Sequence, residues 1–170
     1  ALETTIGRPK VEVMAERIAQ INPNCQVVAR REFYQPGQAD SFLSRDIDYV
    51  VDAIDSVSSK IDLIIQCYTR GIPIVSAMGA GNKMDPTMLR LADISETHTC
   101  PLAKVVRLGL RKEGITSGIP VVFSPEHPKR ITPGRTPGST AFVPPAAGMA
   151  LASLVVRELL KGSGEIGSIQ

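Results

Sequence analysis

Asp48-Tyr49-Val50-Val51-Asp52-Ala53-Ile54-Asp55-Ser56 is the stretch from which the fold class follows. Asp48–Ile54 is a short apolar run, the pattern of a strand buried on both faces of a parallel sheet. Asp55 and Ser56 then offer caps for a helix that runs to about Arg70 and stops at Gly71. Ile72–Ala77 repeats the buried-strand pattern and leads into the loop Met78-Gly79-Ala80-Gly81-Asn82.

The alternation continues outward from this strand, helix and strand. Upstream, Val11, Met14, Ala15 and Ile18 fall at i, i+3, i+4 and i+7, which predicts an amphipathic helix over residues 10–21. Asn22-Pro23-Asn24 stops it, Gln26–Arg31 reads as a strand, and Asp40–Ser44 as a short helix. Downstream, Met88–Ile94 reads as a strand. Thr99-Cys100-Pro101 opens a helix with proline in its first turn, and Gly114 closes it. Ile119–Ser124 is a further strand and Pro144–Lys161 a last helix. Strands alternating with helices predict an α/β fold with a doubly wound, mostly parallel sheet. Residues 125–138 hold four prolines and two glycines, which predicts a loop. The organisation expected is a sheet domain over 1–124, that loop, and over 139–170 a helix packing on the same domain with a frayed tail.

A chain of 170 residues, 43% hydrophobic and 21% charged, has the composition of an ordinary globular domain. With no Trp and 4% aromatics, a stacking platform for single-stranded nucleic acid is disfavoured. Residues 1–60 carry seven Lys/Arg against nine Asp/Glu, whereas residues 101–140 carry seven against two, so the two regions suit different partners. Cys25, Cys67 and Cys100 form no CxxC pair, which argues against a disulfide framework and a structural zinc site. No signal peptide is visible, and the apolar run around Ala146–Val156 is too short to span a bilayer, so a cytoplasmic protein without a membrane anchor is expected.

Ligands of open α/β sheets bind at the carboxyl ends of the strands. Asp55 sits where a buried strand turns into a helix, and a carboxylate there suits a hard cation such as Mg²⁺ that in turn holds phosphate. The alternative is that Asp55 or Ser56 merely caps its helix. Lys10, at the start of the first helix, opposes the macrodipole unless an anion sits there, so it is a candidate phosphate grip. Gly79-Ala80-Gly81 lacks the GxGxxG spacing, and a tight turn accounts for it better than a phosphate cradle. Lys104, Arg107 and Arg111 fall at i, i+3 and i+7, either a basic ridge that tracks nucleic-acid phosphates or a solvated helix face. Cys100 with His98 is an imaginable nucleophilic pair, although a structural thiol is the better reading.

With these residues placed, the chain resembles the ubiquitin-activating-like (ThiF/MoeB/HesA) superfamily of adenylating enzymes. The resemblance rests on Gly7-Arg8-Pro9-Lys10-Val11-Glu12, Tyr49–Ser56, Gly71-Ile72-Pro73-Ile74-Val75 and Met78-Gly79-Ala80-Gly81. Lys10–Asn22, Asp52–Val57, Asp85-Pro86 with the strand ending Asp93-Ile94, and Pro101-Leu102-Ala103-Lys104 look like the tRNA threonylcarbamoyladenosine dehydratase branch. The resemblance implies a Rossmann-like fold, ATP and Mg²⁺ as cofactors, and activation of a carboxylate as an acyl-adenylate. In this branch that carboxylate belongs to a modified adenosine beside the tRNA anticodon; ring closure then dehydrates it and expels AMP. Lys10 would contact the ATP phosphates, Asp55 would hold the Mg²⁺ with Ser56 beside it, and Lys104, Arg107 and Arg111 would face tRNA. The family's glycine-rich nucleotide loop, first strand, ribose-binding acid and upstream arginine precede the quoted motifs and are not in this sequence. An N-terminally truncated, separately inactive piece of an enzyme is therefore expected, with a homodimer as the intact form. Activation of a ubiquitin-like sulfur-carrier protein is the alternative function.

Overall fold

The computed structural model describes residues 2–129 and 137–162. It divides into two compact units, Ala1–Tyr34 and Gln35–Gln170.

In the first unit, helix α1 spans Lys10–Ile21, as its periodicity predicts. The expected strand over Gln26–Arg31 is absent: these residues run irregular and largely exposed, Val28 at 86%. Valines favour strands only where a neighbouring strand completes the ladder and buries a face, and no described strand forms a ladder with this segment.

Among the described residues, the second unit is built on four strands in the order β1-β2-β4-β3, with β1 Val50–Asp52, β2 Ile74–Ala77, β3 Arg90–Asp93 and β4 Pro120–Phe123. β1, β2 and β4 run parallel, and β3 is an antiparallel edge. The sheet is thus mostly parallel, as expected. β1 is shorter than the apolar run Asp48–Ile54, and it is not buried on both faces. It is an edge strand among the described residues, and Val51 is half exposed. The helices are α2 Ala39–Phe42, α3 Val57–Arg70, α4 Pro101–Lys112 and α5 Val143–Gly162. Gly71, at φ +68°, ends α3 in the left-handed region, and Ile72 N–H returns 2.9 Å to the Cys67 carbonyl.

Alternation along the strands sends successive side chains to opposite faces. Val75 and Val122 pack with Ala147, Leu151 and Leu154 of α5, each buried Val or Leu contributing roughly 1.5–3 kcal/mol. Ser76 points the other way, where α3 packs on β1 and β2 and α4 packs on α3. The C-terminal helix α5 therefore packs on β2 and β4 of the sheet. Within α5, Val143–Lys161 is long and apolar enough to cross a membrane by length and composition, more than the 146–156 run suggested. Of the Pro/Gly-rich loop, residues 130–136 lie outside the described residues, and so does the tail beyond residue 162.

Candidate nucleotide site at the carboxyl rim of the sheet

The strands β1 and β2 end side by side, Asp52 opposite Ser76 in the ladder. Beyond that pair the chains part, β1 into the turn 53–56 and β2 into the loop 78–82. Asp52 is 1% exposed, and its Oδ1 accepts the Ile54 N–H at 2.9 Å, which sets the start of the turn. Asp55 and Ser56 follow on the exposed side of that turn, immediately before α3. Ser56 occupies the N-cap position of α3 without donating or accepting a side-chain cap bond; its hydroxyl lies 3.4 Å from that of Ser58. Asp55 acts electrostatically on Lys60, one turn into α3. The turn therefore presents a carboxylate and a hydroxyl at a helix start whose amides lack a Ser56 cap, which suits an anion with its counter-cation.

Lys10 begins α1 behind Pro9 and is exposed. It lies in the first unit, while Asp55 and Ser56 lie together on one turn of the second. Beside Lys10, Arg8 pairs with Glu16 along α1; the bond and charge of Glu16 raise the guanidinium above its ordinary value.

The Gly79-Ala80-Gly81 loop is accounted for by packing. A Cβ on Gly81 would lie 2.7 Å from Pro137 Cβ, so only glycine lets that loop pass beneath residue 137. Asn82, left-handed at φ +58°, then holds both sides of the Pro/Gly-rich segment. Its carbonyl accepts from Lys129 N, its N–H donates to the Gly138 carbonyl, and its Oδ1 accepts from Gly138 N. The glycines form a turn, as the spacing indicated.

The basic ridge is only partly free. Lys104 and Arg111 are exposed on α4. The Arg107 guanidinium instead turns onto Thr97, donating to its carbonyl at 2.7 Å and to its hydroxyl. Val105 and Leu108, each 47% exposed, interleave with the two free cations. Cys100 is buried at the N-cap of α4, and the His98 ring is occupied edge-on by Phe123 with Nδ1 3.0 Å from the Thr99 hydroxyl. This supports a structural thiol.

Two buried lysines escaped the sequence reading. Lys60 Nζ donates to Asp52 Oδ2 at 2.6 Å, Ser76 Oγ at 3.1 Å and the Ala77 carbonyl at 2.9 Å, with no exposed surface. Burial lowers its pKa, opposed by the charge and hydrogen bond of Asp52 and the charge of Asp55. The signal was available: Lys60 shares the buried stripe of α3 with Leu63, Ile64 and Cys67 at i, i+3, i+4 and i+7. Lys83, 1% exposed, donates to the Ser124 carbonyl at 2.5 Å. Burial lowers its pKa too, opposed by Cys100 and Glu126. The Glu126 carboxylate accepts from Met84 N and Asp85 N, tying the 78–85 loop to the end of β4.

Comparison with known proteins shows the family and the fold. The chain matches the ThiF family over residues 1–169. It is 46% identical to the tRNA threonylcarbamoyladenosine dehydratase of Bacillus subtilis (strain 168), over 95% of this chain and 70% of that protein. A crystal structure of the E. coli tRNA N6-threonylcarbamoyladenosine dehydratase is similar with a TM-score of 0.89 at 33% identity, covering 98% of this chain and 70% of that one. The same E. coli enzyme in complex with ATP is similar with a TM-score of 0.87 at 35% identity and equal coverage.

Proposed function

Since this chain belongs to the ThiF family, and within it to the tRNA threonylcarbamoyladenosine dehydratases, we propose that it carries out ATP-dependent dehydration of threonylcarbamoyladenosine in tRNA as part of a full-length enzyme. The observation that carries the reading is the Asp55 carboxylate on the exposed turn after β1, in a chain similar to a dehydratase solved with ATP.

The chemistry is adenylation followed by ring closure. A carboxylate oxygen of the threonyl group attacks the α-phosphorus of ATP, and pyrophosphate leaves. An internal nucleophile of the modified nucleoside then attacks the activated carbonyl, the acyl–phosphate bond breaks, and AMP carries away the oxygen lost from the substrate. Lys10 would contact the ATP phosphates, the role that the family resemblance implies for it; within the second unit, the amides at the start of α3 that no Ser56 side chain caps suit a phosphate. Asp55 would hold the cation that accompanies the triphosphate, with Ser56 beside it. Among the described residues no cluster of three His, Cys, Asp or Glu side chains is present. A lone carboxylate fits Mg²⁺, which takes its remaining ligands from phosphate and water. Mg²⁺ supplies charge neutralisation at the leaving phosphates. Of the ridge Lys104, Arg107 and Arg111, Lys104 and Arg111 are the exposed cations open to tRNA phosphates.

The same reading places the full-length protein in the cytoplasm, as a homodimer. Support for association comes from the edge strand β1 and from Met149, Val156 and Leu159, which α5 leaves exposed. Light scattering on the full-length protein tests it, and a clean monomer refutes it.

The decisive assay incubates the full-length protein with ATP, Mg²⁺ and threonylcarbamoyladenosine-containing tRNA. AMP release with loss of one water from the nucleoside is expected. Adenylation of a ubiquitin-like sulfur carrier, with the tRNA nucleoside unchanged, would overturn the reading in favour of carrier activation.

A further inference from the structure

Lys60 stands at the fork where the first two parallel strands separate. Its ammonium has three protons. One goes to Asp52 at the end of β1, one to the Ser76 hydroxyl of β2, and one to the Ala77 carbonyl at the last residue of β2. Ser76 Oγ in turn donates to the same Asp52 Oδ2 at 2.6 Å, and Asp52 Oδ1 takes the Ile54 N–H that opens the turn. Every proton of the ammonium thus has a place, and the group touches both chains that leave the sheet for the rim. Lys60 is also the residue whose backbone N–H bonds the Ser56 carbonyl, so the same residue closes the first turn of α3.

Stability alone does not account for this arrangement. A buried ion pair is often matched or bettered by apolar residues of the same volume. What a saturated polar network adds is a single geometry. Here that geometry is the separation of the turn 53–56 from the loop 78–82.

We propose that Lys60 is a positioning residue for nucleotide binding: by bracing the ends of β1 and β2 with Asp52 and Ser76, it fixes where the turn 53–56 presents Asp55. The proposal rests on the reading of Asp55 as the ligand of the phosphate-bound cation. Lys60 itself is fully buried, and it acts through Asp52 and Ser76.

The test is calorimetric titration of the full-length protein with ATP at fixed Mg²⁺, without tRNA, for the parent, Lys60→Met, Lys60→Arg, Ser76→Ala and Asp55→Asn. A positioning role predicts that Lys60→Met binds ATP at least fivefold more weakly at unchanged stoichiometry, and that Lys60→Arg recovers part of the affinity. A merely structural role predicts the reverse pattern: fewer binding-competent molecules, each with the parent's affinity. Should Lys60→Met fail to fold, Ser76→Ala, which keeps the ion pair and loses only the hydroxyl, decides, with at least a twofold loss expected. Parent affinity in every folded Lys60 and Ser76 variant, beside a weakened Asp55→Asn, overturns the Lys60 proposal alone. Parent affinity in Asp55→Asn removes the reading of Asp55, and this proposal with it.

Discussion

Lys60 and Asp52 form an ion pair of 2.6 Å in which neither side chain exposes any surface. Burial holds the ammonium below its ordinary range even with that carboxylate against it. Asp52→Ala would leave the charge uncompensated, at a cost of about 3–5 kcal/mol. Asp52→Ala combined with Lys60→Met removes both charges and should regain much of the loss. Urea unfolding midpoints measure both, and an Asp52→Ala midpoint equal to the parent's would show that the pair carries no stability.

Cys67, buried in α3, has its thiol pushed up to about 11 from 9.0, chiefly by burial and then by the charge of Asp52, with Arg70 opposing. In the unfolded chain the thiol ionises near its ordinary value. Between the two values the folded state therefore holds more protons than the unfolded one, and stability falls as pH rises. The contribution is fully present below pH 9 and lost as pH climbs through about 11, amounting to about 3 kcal/mol at most. Cys67→Ala should flatten this part of the pH–stability curve. An unchanged slope would mean that another group titrates there.

Gly109 of α4 meets Ile61 of α3 so closely that a Cβ on it would lie 2.5 Å from Ile61 Cδ1. Gly109→Leu should destabilise the protein by about 1–3 kcal/mol through overpacking. Ile61→Ala in the same chain should recover part of that loss, a coupling that a double-mutant cycle of unfolding free energies reads directly. Simple additivity would place the two residues out of contact.

The α4 cations divide by role. Lys104→Ala and Arg111→Ala should each reduce the dependence of log affinity for tRNA on log salt by about 1, with stability unchanged. Arg107→Ala should leave that slope alone and instead lower stability by about 1–3 kcal/mol, because the Thr97 carbonyl loses its donor. Binding measured at several salt concentrations separates these cases. A slope change for Arg107→Ala as large as for Lys104→Ala would contradict the division.

The amino-acid sequence by itself determined the helices α1, α3, α4 and α5 and the strands β2 and β4. Their periodicity, and the proline and glycine stops at Pro101, Gly71 and Gly114, act over a few residues. Helix hydrogen bonds close within four residues, so the information is local. The turn bearing Asp55 was legible for the same reason, since the change from a strand pattern to a helix pattern fixes it in sequence. Only the tertiary structure decided which polar groups are free. Gln26–Arg31 has strand-forming valines and no ladder, because a ladder needs a partner remote in sequence. Arg107 looked like part of a ridge until its guanidinium reached Thr97, ten residues back. Lys60 belongs to no motif in the sequence. It meets Asp52 eight residues away and Ser76 sixteen residues away, and only when the sheet has assembled do those acceptors stand close enough to hold a charge out of water.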